Sequence, residues 1–151
     1  MSSQTTKLGQ NIMKSVPYVS IIVENLEGEV LLLLRDNKSS ITFPNHWTLV
    51  GGIVKGSETP EMVAQRELEE ETGLQADLSL WKRYDRCHPL FMINQHIYTG
   101  KVDAKDLLVL GWDTQFFTPC EIQYLNIGYG FKELLNEYFL TKTSTLHVYH
   151  A

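Results

Sequence analysis

Cysteine is scarce in this chain. Cys87 and Cys120 are its two thiols, too few for a disulfide framework, and a reduced cytoplasmic setting is the default expectation. Long apolar runs are missing as well: Val30 to Leu34, the longest aliphatic stretch, is far too short to cross a membrane. The opening segment MSSQTTKLGQNIMKSV lacks the apolar centre of a secretory signal. There is no run of Lys or Arg, and the formal net charge is −5, so a grip on a nucleic-acid polymer by charge alone is not expected. Repeats, low-complexity tracts and domain linkers are also absent. What remains is 151 residues, 43% hydrophobic and 21% charged, the balance of one globular domain that can bury a core without disulfides or a structural metal.

Residues 1–15 are polar and aperiodic and read as an N-terminal arm, with the domain over 16–141 and a tail over 142–151. Tyr18 to Val23 and Val30 to Arg35 read as two strands of a hairpin turning at Glu27-Gly28. Asp36 to Asn45 is a loop; Trp47 to Val50 is a short strand running into Gly51-Gly52, and Ile53 to Glu58 is a second loop. Thr59 is an N-cap, Pro60 suits the first helical position, Glu61 the first turn, and Gly73 ends a helix that runs to Thr72. Ala76 to Arg86 and Phe91 to Val102 look like long strands, and Gln115 to Thr118 like a short one. Gly128 to Leu140 carries Phe131, Leu134, Leu135, Tyr138 and Phe139 at helical spacing. This order implies a mixed sheet covered by helices.

The central helix is electrostatically odd. Glu67, Glu69, Glu70 and Glu71 crowd its last turns, where the macrodipole favours cations and each anion costs roughly 0.3–1 kcal/mol. Glu67 and Glu71 are also a like-charged i,i+4 pair. A solvated acidic face is the plain alternative. Spacing argues otherwise: positions 67, 70 and 71 share one face, while Ala64 and Leu68 mark an adjacent core face. Three convergent carboxylates suit a hard cation such as Mg²⁺ or Mn²⁺. Arg66 stands beside them as a residue able to fix a carboxylate rotamer, and the Gly51–Gly56 loop could lend a carbonyl to a metal or amides to a phosphate.

These residues resemble a known signature. Gly52, Glu58, Arg66-Glu67-Leu68, Glu70-Glu71 and Gly73-Leu74 match every defined position of the Nudix box, G-x5-E-x7-R-E-U-x-E-E-x-G-U with U aliphatic. The flanks agree: a Trp-containing strand leads into Gly-Gly, and Phe116 to Ile122 is similar to the segment that follows the sheet in compact members. The resemblance covers Tyr18 to Leu140. It implies an α/β class, the Nudix fold, an α/β/α sandwich with a mixed β-sheet. It also implies hydrolysis of a diphosphate bond in a nucleoside diphosphate linked to another moiety, with Mg²⁺ and possibly Mn²⁺ as cofactor. By position, Glu67, Glu70 and Glu71 with the Gly51 carbonyl are the implied metal ligands. Glu70, Arg66 and Glu58 are the implied catalytic set, Arg66 orienting the glutamates and Glu58 tying loop to helix.

The chemistry suits these residue types. Phosphoanhydride hydrolysis needs charge stabilisation and an activated water, both of which clustered cations supply, and a carboxylate within reach as base. Some family members place that base on a later loop; here Asp103, Asp106, Asp113 and Glu121 are the candidates, and Glu121 is equally suited to local capping. Val50 departs from the proline that many members carry before the two glycines, a change expected to loosen the loop. Arg35, at a strand end, is a candidate phosphate contact. Trp47, Tyr98, Phe116 and Phe117 read mainly as core or rim, as do Phe91 and Trp112, and Cys87 reads as an inert thiol.

The expected partner is a small-molecule nucleotide, with neither a nucleic-acid polymer nor a membrane; a homodimer is left open. ADP-ribose or a nucleotide sugar is the first substrate reading, nudged by Pro89, which stands where a proline marks ADP-ribose hydrolases. A nucleoside triphosphate pyrophosphatase of the MutT type is the alternative, and the chain lacks the extra N-terminal subdomain of many dimeric ADP-ribose enzymes. A non-catalytic nucleotide-binding module fits less well, because such modules have eroded boxes. An isoprenoid diphosphate isomerase also fits less well, because the chain is short for it.

Overall fold

The computed structural model describes residues 15–87, 92–103 and 113–150, the side chains of 143–150 excepted. The chain divides into two compact units, one of residues up to Val23 with Val50–Val102, the other of Glu24–Leu49 with the residues from Asp103 onward. Of the expected arm, residues 1–14 lie outside the described residues, as do Pro89, Phe91, Asp106 and Trp112; Ser15 opens the first strand.

The first unit is built on β1 (Ser15–Glu24, up to Val23), β4 (Val50–Ile53), α1 (Pro60–Thr72), β5 (Ser79–Cys87) and β6 (Met92–Lys101). From Val19 to Val23 every residue of β1 is buried, which is why this strand, interrupted only by Ser20, does not alternate between apolar and polar residues. It pairs antiparallel with β4, Ile21 opposite Val50 and Ser20 opposite Gly51. β5 and β6 pair antiparallel, with an irregularity between Leu80 and Lys82. α1 buries Val63, Ala64 and Leu68 completely. Fully burying a side chain the size of Val or Leu contributes about 1.5–3 kcal/mol, enough to hold a helix whose charge pattern works against it.

The ends of α1 lie where the sequence puts them. The Thr59 hydroxyl accepts the Met62 amide at 3.2 Å, Pro60 occupies the first turn, and Gly73 adopts φ 74° to return its amide to the Glu69 carbonyl. No basic residue sits in the last turn. The expected strand over 47–50 is instead two, β3 (Trp47–Thr48) and β4, and both glycines lie within β4 rather than after it. Val50 does not loosen anything: it is fully buried and paired with Ile21 in a ladder to which proline could not donate.

The second unit contains β2 (Val30–Leu34), β3, β7 (Thr114–Phe117), α2 (Pro119–Ile122) and α3 (Phe131–His150). β2 pairs antiparallel with β7 and with β3. Its core is Val30, Leu31, Leu32, Phe117, Ile122, Leu134 and Leu135. The turn from Glu24 to Val30 is organised by Asn25, whose side-chain oxygen accepts the Glu27 and Glu29 amides, with Gly28 at φ 80°. α3 starts later than expected and continues to His150, so the segment assigned to the tail is helical through that residue. Neither Gly nor Pro follows Leu140 to stop it, and the Thr141 hydroxyl returns to the Glu137 carbonyl at 3.0 Å. Among the described residues, no helix is long and apolar enough to cross a membrane.

Candidate active site

Two glycines bring α1 against its sheet. A β-carbon at Gly51 would stand 2.1 Å from the Val19 carbonyl oxygen, and one at Gly52 would stand 2.6 Å from Glu67 Oε1. At Gly51 the obstacle is backbone and only glycine permits the approach; at Gly52 a β-carbon would displace the Glu67 side chain. The Gly51 amide donates to Glu71 Oε1 at 3.2 Å, so the same dipeptide touches two of the expected metal ligands. The Gly51 contact observed is its amide.

Arg66 gathers the remaining acids. Its Nε and Nη2 donate to the two oxygens of Glu58 at 2.9 and 3.0 Å, a two-point pairing that clamps the preceding loop to the helix. Its Nη1 reaches Glu67 Oε1 at 3.1 Å and Glu70 Oε2 at 3.3 Å. The Arg66 contact holds the Glu58 carboxyl below the usual range, and the same contact raises the guanidinium. Positions 67, 70 and 71 thus share one face as their spacing requires, but a single arginine serves three carboxylates.

Glu71 takes the consequence. Its pKa is pushed up to about 8, chiefly by withdrawal of the carboxyl from water, then by a hydrogen bond with Glu67 and repulsion from Glu67 and Glu70; the Gly51 amide works the other way. The residue as a whole is exposed, so the withdrawn part is the tip against Gly51 and Glu67. Two carboxyls sharing a proton on a helix face lack positive charge. That donor set suits a hard divalent cation, although among the described residues no three acidic, histidine or cysteine side chains already stand as a closed cage. Arg66 and Gly51 hold the oxygens to themselves instead.

The other expected residues lie elsewhere. Arg35, in the second unit, donates Nε to the Thr42 carbonyl at 2.8 Å and stacks over the Tyr129 ring. Glu121 closes a capping box with Thr118, the Thr118 amide lowering its pKa, so its carboxylate serves the short helix α2 that the sequence reading missed. Asp113 is exposed and Asp103 half-buried. Trp47 packs edge-on to Phe117 at 4.8 Å, and Tyr98 is core, 2% exposed. Both thiols are exposed. The part of Gly52 in seating Glu67 was not anticipated, although its fixed place in the box was the available signal.

Residues 14–124 match the NUDIX domain family. An 8-oxo-dGTP diphosphatase of Haemophilus influenzae is 33% identical over 90 residues, 56% of this chain and 62% of that protein. An RNA pyrophosphohydrolase of Actinobacillus succinogenes is 41% identical over 75 residues, 45% of this chain and 35% of that protein. The chain thus spans less than two thirds of either relative. The crystal structure of a MutT protein from Methanosarcina mazei Go1 is similar with a TM-score of 0.70 at 21% identity, covering 86% of this chain and 96% of that one. At that identity the likeness is one of fold, and the fold is the α/β Nudix fold expected. The family match reaches well beyond the box, over the strands before it and through β5, β6, β7 and α2 after it, and it makes this chain a member of the Nudix family.

Proposed function

We propose that this chain hydrolyses a phosphoanhydride bond in a nucleoside diphosphate linked to another moiety, such as ADP-ribose or a nucleotide sugar. In this reading Glu67, Glu70, Glu71 and the Gly51 carbonyl hold Mg²⁺, or Mn²⁺. The supporting observation is the acidic face of α1, where Arg66 serves Glu67 and Glu70 as well as Glu58 of the preceding loop, and where withdrawal from water and acidic neighbours raise the Glu71 pKa. A divalent cation there supplies charge stabilisation for the phosphoryl oxygens and lowers the pKa of water.

The chain's own residues do the rest. Arg66 holds Glu58, and through it the loop before α1, while keeping Glu67 and Glu70 in fixed rotamers. Glu70 is the more open of these two acids, its side chain 58% exposed against 19% for Glu67. It is the group we assign to accept the proton of the attacking water. Arg35 is assigned a substrate phosphate contact on its charge alone.

A second reading is favoured by the names of the relatives, an 8-oxo-dGTP diphosphatase and an RNA pyrophosphohydrolase: a triphosphate substrate cleaved to a monophosphate and pyrophosphate. A panel of ADP-ribose, nucleotide sugars, NADH, dinucleoside polyphosphates and nucleoside triphosphates, incubated with Mg²⁺ and resolved by product chromatography, separates the two. Monophosphate products from the linked diphosphates support the first reading, pyrophosphate release from triphosphates the second. No turnover of any of them contradicts both.

A further inference from the structure

Charge is unevenly spread in the first unit. The acids crowd α1, while β5 carries Lys82, Arg83 and Arg86 against Asp85 alone, in a chain of net charge −5. The Asp85 carboxylate is already engaged, accepting the Asn94 amide of β6 at 2.7 Å. Lys82 Nζ stands 5.8 Å from the ring centroid of Trp81 and 6.0 Å from that of Tyr84. Both distances are within the range of a cation–π attraction. None of the 9 residues of β5 is buried, and among the described residues the strand pairs with β6 alone. An exposed edge thus presents cations interleaved with aromatic rings.

The parts of this edge say what would bind it. An added β-strand needs a regular ladder of backbone donors and acceptors, and β5 breaks register between Leu80 and Lys82. The binding groups are therefore its side chains rather than its backbone. Lysine on an edge also discourages pairing with stray strands, which accounts for the cations but not for the rings among them. Cations alone would suit any polyanion. Trp81 and Tyr84, both half-buried, add ring faces on which flat heterocycles stack, and a single nucleic-acid strand offers phosphates and unstacked bases together. The whole chain is too negative to hold such a polymer by charge alone, so stacking has to share the work.

We propose that β5 is a binding surface for single-stranded nucleic acid, with Lys82, Arg83 and Arg86 on phosphates and Trp81 and Tyr84 against bases. The inference goes beyond both readings of the α1 face. Joined to the triphosphate reading, on which this extension rests, it makes the 5′-triphosphate end of a strand the substrate class.

A fluorescein-labelled single-stranded RNA decanucleotide, followed by anisotropy in EDTA, tests the surface with no cation on α1. Three phosphate contacts predict a slope of about −2 in log K against log salt, a loss of about twentyfold between about 50 and 200 mM. Arg83→Ser should make that slope shallower by about 0.7. Trp81→Ala should weaken binding on the order of tenfold at every salt concentration. An unlabelled decaglutamate peptide in excess should displace little of the RNA. Absence of RNA binding at the lowest salt, a wild-type slope in Arg83→Ser, or wild-type affinity in Trp81→Ala overturns the proposal. So does a peptide that binds more tightly than the RNA, which would make the edge a docking surface for acidic protein segments. Should Trp81→Ala not fold, the exposed Arg83 decides, an unchanged slope in Arg83→Ser overturning the proposal. RNA that binds β5 but keeps its 5′-triphosphate in the presence of Mg²⁺ supports the surface and contradicts the triphosphate reading. Hydrolysis of free triphosphates with no RNA binding overturns the surface and leaves that reading standing.

Discussion

The two units treat the glutamate side chain in opposite ways. In the second unit Glu24 is 2% exposed and fully served: the Tyr138 hydroxyl donates to one oxygen and the Lys142 ammonium to the other. In the first unit Glu67, Glu70 and Glu71 crowd the end of a helix; Glu67 and Glu70 share Arg66 with Glu58, while Glu71 has the Gly51 amide and a pKa raised by withdrawal from water and by its acidic neighbours. A charge that serves folding comes with its counter-charge, because an unpaired one costs too much once buried. A charge kept at the wrong end of a helix with too little compensation destabilises the fold, and it persists where something outside the chain completes it. The contrast separates an anchoring carboxylate from the set we propose as functional.

The largest effect that could break this contrast is removal of divalent cations. Turnover should be lost in excess EDTA and restored by Mg²⁺ or Mn²⁺, measured by product release; full activity after extensive dialysis against EDTA would put the α1 acids on the same footing as Glu24. Mg²⁺ should also raise the melting temperature, by the equivalent of about 2.7 kcal/mol at a hundredfold excess over Kd.

Glu70→Gln comes next. It keeps volume and helix propensity while removing a charge from the facial set, and kcat should fall on the order of 10²–10³ with circular dichroism unchanged. In the second unit Lys142→Ala should act on stability instead, lowering the unfolding free energy by about 1–2 kcal/mol in urea titrations. That is less than a wholly buried pair would lose, because the lysine is 39% exposed and Tyr138 still serves Glu24. Little loss of stability in Lys142→Ala would mean that Glu24 is not the anchor it is taken for.

How far the sequence carried this picture depends on the range of the forces involved. The caps of α1 were readable to the residue, because Thr59, Pro60 and Gly73 act on backbone groups within a few positions. The facial set was readable because helical spacing alone determines it. Spacing alone suggested that Arg66 could fix one carboxylate, and the resemblance that it orients the glutamates; it holds Glu58, Glu67 and Glu70, a matter of rotamer that spacing does not decide. Glu24 was not singled out, since its partners Tyr138 and Lys142 lie more than a hundred positions away. The same contact explains why α3 outruns its expected end: Lys142 has a partner to reach, and threonine-rich sequence with modest helix propensity continues as helix in its company.

The smallest effects are the controls. Glu69→Gln, at the one position of the acidic run that the box leaves undefined, should leave kcat unchanged and stabilise the helix by a few tenths of a kcal/mol at most, read by thermal melting. Cys87→Ser should leave turnover unchanged, as an exposed thiol whose contact among the described residues is the Met92 sulfur; a loss of two orders of magnitude would point to covalent chemistry instead.

The most direct test of the central claim is anomalous diffraction from crystals grown with Mn²⁺. The account predicts a peak bounded by the carboxylates of Glu67, Glu70 and Glu71, with Glu71 withdrawn from its proton-sharing contact with Glu67. A Mn²⁺ peak elsewhere, or none with the three carboxylates still held by Arg66 and Gly51, would contradict it.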